Sequence, residues 1–398
     1  MLFVSARCFP CALLRSFRRY FQKEASTLKV CIDIQAAIAQ RAGVGRYTKS
    51  LVEHLGPLAG PDQLTLFYFD FKRRGVPFHV PNASERAVTW CPGRIVQKAW
   101  KTIDWPAFDW FAGSADVYHF PNFIIPPLRR GRTVVTIHDV SFMRFPDAAE
   151  PKNLQYLNGQ IRKTIERADL ILTDSQFSAD EMTELLNVAP DRVKAVHLGL
   201  TPNMGASDSD AVEAMRGALK LDAPYLLFVG TLEPRKNIPF LIECFEQMES
   251  FDGDLVIAGM RGWKVEPILK RMDASRERAR IRYLEYVDEQ WLPALYAGAK
   301  LFMFPSLYEG FGFPPLEAMR CGTPVLSSRA GSLPEVLGDA AAYVDSYDAE
   351  EWAGAATSLL ADSGQRAKRV ETGQAQAARY QWEETARETW GLYREVAS

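Results

Sequence analysis

From residue 28 onward, short uninterrupted apolar runs alternate with longer amphipathic stretches. In the first half the runs are LKVCIDI (28–34), LTLFYFD (64–70), ADVYHFP (115–121), TVVTIHD (133–139), ADLILTDS (168–175) and VKAVHLG (193–199). The pattern restarts after TPNMGASDSDAVEAM (201–215) with PYLLFVG (224–230), DLVIAG (254–259), KLFMFPS (300–306), TPVLSS (323–328) and AAYVD (341–345). Between these runs lie helical stretches such as IPFLIECFEQM (238–248) and WLPALYAGA (291–299). Continuous apolar runs, as opposed to alternating ones, are the mark of parallel strands buried on both faces by crossover helices. The pattern therefore predicts an α/β protein with two doubly wound, Rossmann-like domains. The Ser, Asp, Pro and Gly residues of 201–210 mark the junction.

The predicted organisation is a basic N-terminal extension over 1–27, a first domain over 28–200, a second over 201–378, and a final helical segment over 379–398. That last segment is expected either to close the second domain or to cross back to the first. Open parallel sheets bind ligands beyond the carboxyl ends of their strands, so two such sheets facing each other create one cleft. Function is expected in the loops that follow strands.

Composition narrows the class. The 398 residues are 47% hydrophobic and 24% charged, with a formal net charge of -2. This excludes a disordered chain and gives no electrostatic support for nucleic-acid binding. The six cysteines are scattered, as suits a reducing compartment. CFPC (Cys8 to Cys11) lacks the strand-to-helix setting of a redox motif and has no second pair for zinc. No apolar run reaches the ~20 residues that span a bilayer. The extension is nonetheless rich in Phe, Leu and Arg, including Arg7, Arg15, Arg18 and Arg19. An amphipathic surface helix, a targeting peptide and an unstructured tail all fit it.

The chemistry concentrates at predicted strand ends. FVGTLEPRKN (228–237) leaves a buried strand at Gly230, where a missing side chain lets a ligand approach the backbone. Asn237 is the expected N-cap of a helix starting at Ile238, which puts Arg235 and Lys236 beside a helix N-terminus. A planar guanidinium and a point-like ammonium there suit a diphosphate. PSLYEGFGFPPLEAM (305–319) follows another strand; Glu309 falls in a loop with Gly310, Phe311 and Gly312, and Glu317 in the expected first turn of a helix. Paired acceptors facing a cleft suit vicinal hydroxyls, although a carboxylate pair also serves as acid and nucleophile in glycoside hydrolysis. In the first domain, TVVTIHD brings His138 and Asp139 to a strand end on the cleft. AGVGRYT (42–48) supplies Gly43 and Gly45 before a helix expected near Arg46.

Other signals carry less. GVGRYT resembles half of a dinucleotide fingerprint, but Thr48 stands where the third glycine belongs and QAAIAQRA separates strand from glycine. The acid pairs at 208–210 and 252–254 read as solvated turns, and no His/Cys set has metal-ligand spacing. FYFDFKRRG (67–75) and KAWKTIDWPAFDWF (98–111) mix aromatic and basic residues. They read either as a membrane-facing patch or as packing by Trp100, Trp105 and Trp110.

The pairing of FVGTLEPRKN with PSLYEGFGFPPLEAMRCGTPV about seventy residues later, an E-x7-E motif, resembles the retaining glycosyltransferases of family four (group 1), which have the GT-B architecture. The resemblance extends from residue 28 to the end, through AGVGRYTKSL, VTIHD, ADLILTDSQFS and RIRYLEYVDEQWLPALYAGA. It implies transfer of a hexosyl unit, with mannosyl as the first expectation, from a GDP- or UDP-linked sugar to a saccharide or lipid-linked acceptor in surface polysaccharide assembly. Retention of configuration, no cofactor and no metal are implied with it. Arg235 and Lys236 would bind the donor diphosphate, Glu317 the ribose hydroxyls and Glu309 the donor sugar, with His138 approaching that sugar from the first domain. Gly43 and Gly45 would line the loop between donor phosphate and acceptor, and the backbone of Tyr286 and Val287 would edge the base. Glu285 stands where the family often has glycine. The resemblance favours a terminal helix that crosses back, and a cytoplasmic protein, peripheral on the inner membrane face. A nucleotide-sugar epimerase, a phosphorylase and a non-catalytic sugar-nucleotide-binding protein are the competing readings on the same scaffold. Glu309→Ala and Lys236→Ala are expected to abolish turnover and leave the fold intact.

Overall fold

The computed structural model describes residues 27–40, 43–148, 150–201, 204–205 and 207–398. The basic segment up to residue 26, with its Cys8–Cys11 pair, lies outside the described residues. Two parallel sheets form, one of seven strands in the order β3-β2-β1-β4-β5-β6-β7 and one of six in the order β10-β9-β8-β11-β12-β13. The first comprises β1 (Lys29–Asp33), β2 (Gln63–Phe69), β3 (Ala83–Val88), β4 (Val117–Phe120), β5 (Arg132–Thr136), β6 (Leu170–Thr173) and β7 (Val193–Ala195). The second comprises β8 (Tyr225–Val229), β9 (Asp254–Ala258), β10 (Ile281–Leu284), β11 (Leu301–Phe304), β12 (Val325–Ser327) and β13 (Ala342–Tyr343).

The continuous apolar runs are explained by where alternate residues go. Val30, Ile32, Val134, Leu170 and Leu172 join one core layer, whereas Cys31, Val135 and Ile171 join the layer on the opposite face. Period-2 strands buried on both sides need apolar residues at every position. Two strands escaped the hydrophobic reading. β3 (ASERAV) is an edge strand that is mostly exposed, and β10 (IRYL) is the edge of the second sheet with one fully buried residue. An edge strand packs on fewer neighbours, so it can be polar.

The terminal helix Trp382–Ala397 lies on the first domain. Tyr393 Oη is 2.6 Å from His119 Nδ1, Arg394 donates to Asp62 at 2.5 Å, and Thr385 donates to the His197 carbonyl at 2.7 Å. A Cβ on Gly199 would sit 2.2 Å from the Trp382 nitrogen, so only glycine admits the helix there.

Candidate functional site

The strand ends of the two sheets meet. After β8, a 3-10 turn over Pro234–Lys236 leads through Asn237, with φ 53°, into the helix Ile238–Glu246. Asn237 occupies the N-cap position but makes no side-chain cap, because its left-handed backbone turns the chain sharply instead. Arg235 and Lys236 are not free beside the helix end as expected. Lys236 Nζ donates to Glu309 Oε1 at 2.6 Å, and Arg235 Nη1 donates to Glu309 Oε2 at 3.0 Å and to the Tyr308 carbonyl at 2.6 Å. Arg235 Nη2 donates to Glu233 Oε1 at 2.7 Å.

Glu233, Lys236 and Glu309 are all buried. Burial works against a charged Glu309, but Lys236 and Arg235 outweigh it and hold its pKa below the usual carboxylate range. Burial pushes the Lys236 pKa down, in spite of Glu309. Burial likewise raises Glu233, against the pull of Arg235 and Lys236. Two acids and two bases thus form a largely buried, mutually paired cluster at the ends of β8 and β11.

Glu309 sits between β11 and the helix Phe313–Arg320, and its carbonyl accepts from Ser332 N at 3.0 Å and Ser332 Oγ at 3.1 Å. Gly312 takes φ 108°, a conformation only glycine adopts without strain. Gly310 packs on the first domain: a Cβ there would be 2.7 Å from Asp139 Cβ and 2.9 Å from the His138 carbonyl oxygen. Its own carbonyl accepts from Ser175 Oγ at 2.7 Å. Phe311 is buried with its ring edge-on to Tyr380.

Glu317 is in the second helical turn, not the first, because the helix already begins at Phe313. It is buried, and its partners are side chains: Tyr296 Oη donates at 2.9 Å and Arg46, from the first domain, at 3.2 Å. The same Arg46 nitrogen also donates to Thr201.

His138 follows β5, and its Nδ1 donates to Asp174 Oδ2 at 2.8 Å. Burial opposes a charged imidazole, but Asp174 outweighs it through attraction and the hydrogen bond, so the His138 pKa is raised. The Tyr47 ring stands edge-on to His138 at 4.7 Å, and Nε2 is buried with no hydrogen-bond partner among the described residues. A carboxylate-oriented imidazole with its second nitrogen uncommitted can receive a ligand hydroxyl.

Gly43, with φ 57°, precedes a helix that starts at Val44, with Arg46 in its first turn, and a Cβ on it would meet nothing within 4 Å. A Cβ on Gly45 would lie 2.1 Å from the Gln40 carbonyl oxygen, so its smallness serves loop packing. The Gln35–Ala39 stretch is itself helical, which explains the gap that broke the dinucleotide pattern. Gly230 adjoins Lys236, with a Cβ falling 3.8 Å from Lys236 Cε. Tyr286, 66% exposed, and Val287 follow β10, two strands away from β8 along the sheet. Glu285 pairs with Arg261 at 2.5 Å.

Sequence reasoning did not single out Asp174, Arg46, Tyr296 or Glu233 as site residues. Asp174 was findable: it ends β6, the neighbour of β5, and so reaches the same cleft as His138. Asp208 caps the helix Ser209–Leu219, and Asp70 accepts from Arg74 and Gly75 N–H groups at 2.8 Å, so both are structural. Among the described residues no cluster of metal-ligating side chains occurs and no helix is long and apolar enough to cross a membrane.

Two family models match the chain: Glycosyl transferases group 1 over residues 213–376, and Glycosyltransferase Family 4 over residues 41–203. The O-antigen chain mannosyltransferase B of Escherichia coli is 32% identical over 375 residues, covering 88% of this chain and 96% of that protein. Among solved structures, a sucrose-phosphate synthase from Thermosynechococcus elongatus superposes with a TM-score of 0.73 at 20% identity, covering 93% of this chain and 99% of the other. Anabaena HepE in complex with UDP-glucose superposes at 0.67 with 17% identity, covering 92% and 100%. These two similarities are of fold: two facing α/β domains of the GT-B kind.

Proposed function

The chain belongs to the group 1, family 4 glycosyltransferases, and on that premise we propose that it moves a mannosyl unit from a nucleoside diphosphate sugar to a saccharide hydroxyl, with retention and without a metal. The observation that carries this is the convergence of Arg235 and Lys236 on Glu309, directly beside Gly310, which packs on His138–Asp139. Departure of a nucleoside diphosphate builds negative charge on its leaving oxygen. Arg235 and Lys236, held in place before the donor arrives, stabilise that charge more than the ground state. Glu309 keeps both cations oriented and lies where positive charge develops on the sugar; His138 receives a sugar hydroxyl at Nε2. Glu317 holds the ribose. The relative named as an O-antigen chain mannosyltransferase supports mannose as the sugar and a polysaccharide as the acceptor.

The test is incubation of GDP-mannose and UDP-hexoses with manno-oligosaccharides, with and without EDTA, followed by NMR of the product's anomeric centre. Retained configuration and EDTA-insensitive transfer are expected. Inverted product, loss of activity with EDTA, or donor conversion without any acceptor overturns the reading.

Peripheral attachment to an anionic bilayer, from the cytoplasmic side, is part of the same proposal. Of the ten large hydrophobic residues exposed among the described residues, six fall between 71 and 110: Phe71, Trp90, Ile95, Ile103, Trp105 and Trp110. Lys72, Arg73, Arg74, Arg94 and Lys98 are exposed around them, a combination that suits an anionic interface. Trp100, in contrast, is half-buried and donates to the Pro106 carbonyl at 2.6 Å. Co-sedimentation with phosphatidylglycerol vesicles is expected and should fall when Trp90 and Trp105 become Ser; failure to bind the vesicles sinks the membrane contact.

A further inference from the structure

The segment that follows β6 comprises Asp174, Ser175 and the helix Gln176–Leu186, and its polar side chains meet the loop that carries Glu309. Ser175 caps the helix by accepting from Ser178 N at 3.1 Å. Ser175, Ser178 and Glu181 are spaced three apart, which makes them near neighbours along the helix surface, and all three are buried. Buried polar groups need partners, and here the partners lie largely across the cleft. Ser175 Oγ donates to the Gly310 carbonyl at 2.7 Å. Ser178 Oγ lies 3.2 Å from the His138 carbonyl oxygen and 3.3 Å from that of Gly310, so its single proton bridges a strand end of one sheet and a loop of the other. Glu181 Oε2 accepts from Tyr308 Oη.

Tyr308, from the second domain, is seated in the first. Its buried ring stands edge-on to Phe145 at 5.9 Å and to Phe177 at 5.5 Å between centroids. Glu181, at the end of this slot, is held from behind by Arg144 Nε, which donates to Oε1 at 2.6 Å. The Tyr308 carbonyl accepts from Arg235 Nη1 at 2.6 Å, and the next residue in the chain is Glu309 itself. Asp174, at the other end of the segment, accepts from His138 Nδ1 at 2.8 Å. One short stretch of the first domain therefore fixes the imidazole on its own side of the cleft and the Arg235–Glu309 pair on the other. A displacement of about 1 Å between reacting groups can cost about 10²-fold in rate, so this bracing bears on turnover.

We propose that Glu181 is a positioning residue: through Tyr308 it sets where Arg235 and Glu309 stand against His138, and so controls kcat while leaving donor affinity alone. This rests on the glycosyltransferase reading above. A hydroxyl that donates to a carboxylate makes a strong, directional bond, so removing one oxygen atom is enough to test it.

The experiment measures initial rates of the full chain with GDP-mannose and UDP-hexoses as donors and mannotriose as acceptor, and the binding of GDP and UDP by calorimetry. Tyr308→Phe removes only the hydroxyl and keeps the ring between Phe145 and Phe177. It is expected to lower kcat about tenfold and to leave donor KM and nucleotide affinity within about twofold of wild type. Glu181→Ala should lose as much, and Glu181→Gln, which keeps an acceptor oxygen for Tyr308, should recover part of the loss. The Tyr308→Phe/Glu181→Ala double variant should be no slower than the slower single variant, because both remove the same contact. An active wild type with a folded Tyr308→Phe of unchanged kcat overturns this proposal alone, as do losses confined to KM or losses that multiply in the double variant. Should Glu181→Ala fail to fold, Tyr308→Phe and Glu181→Gln still decide it. A wild type that neither binds GDP or UDP nor transfers from any of these donors overturns the glycosyltransferase reading and this proposal with it.

Discussion

Lys236 and Glu309 share a 2.6 Å hydrogen bond in a site where both side chains are buried and Arg235 completes the pairing. Removing one member leaves its partners as uncompensated buried charges, which costs about 3–5 kcal/mol. The expectation that alanine variants leave the fold intact therefore changes. Lys236→Ala and Glu309→Ala should lose both stability and turnover, whereas the isosteric Glu309→Gln, which loses the charge but keeps an acceptor oxygen and the packing, should lose less stability and about 10²–10³ in kcat. Calorimetry and initial rates check this together; a folded Glu309→Gln with normal kcat rejects the role.

Arg46 reaches Glu317 from the opposite domain, at 3.2 Å, while Tyr296 holds the other carboxylate oxygen at 2.9 Å. A carboxylate fixed on both sides would be pre-set for the ribose hydroxyls proposed for it. Arg46→Ala and Tyr296→Phe should each cost about 0.5–1.5 kcal/mol, seen as a roughly two- to tenfold higher donor KM with kcat little changed. A change confined to kcat would speak against ribose positioning.

His119 is fully buried between Tyr393 Oη and Thr136 Oγ1, and burial lowers its pKa from 6.5 to about 3. Between those values the unfolded chain binds the extra proton, so stability rises with pH there and is lost as pH falls from about 6.5 toward 3. The full effect is on the order of 5 kcal/mol. His119→Gln should flatten this part of the stability profile, measured by urea unfolding at stepped pH; an unchanged slope between wild type and variant would reject it.

Glu335, in the second domain, accepts from the backbone N–H groups of Gln176 and Phe177 at 2.8 and 2.9 Å, at the start of a first-domain helix, and from His197 Nε2 at 2.7 Å. Burial opposes its charge, but His197 and the two N–H groups hold its pKa below the usual carboxylate range. This cap closes the cleft beside Ser175 and Gly310. Glu335→Ala should weaken closure by about 0.5–2 kcal/mol, giving a larger radius in small-angle scattering and a lower kcat/KM. An unchanged radius would show that the cap does not control closure.

The residues whose placement was legible are those set by local position. Arg235, Lys236, Glu309 and His138 each follow an apolar run, and a parallel strand delivers whatever follows it to the carboxyl edge of the sheet. Glu317 was misplaced by local reasoning, which also missed what fills the space beside Gly45. Gly45 is small because a loop carbonyl from Gln40 crosses it, and Glu317 lost its first-turn position when the helix began at Phe313. Neither fact is written in the neighbouring residues.

By itself the sequence determined the two α/β domains and the strand ends that carry charge, because burial on both faces leaves an unbroken apolar run. Only the tertiary structure decided that Arg235 and Lys236 are neutralised by Glu309, that Arg46 crosses to Glu317, and that Asp174 orients His138. Those pairings join residues from 36 to 271 positions apart. Their geometry comes from how two sheets dock, and docking is a sum over the whole interface that no local pattern encodes.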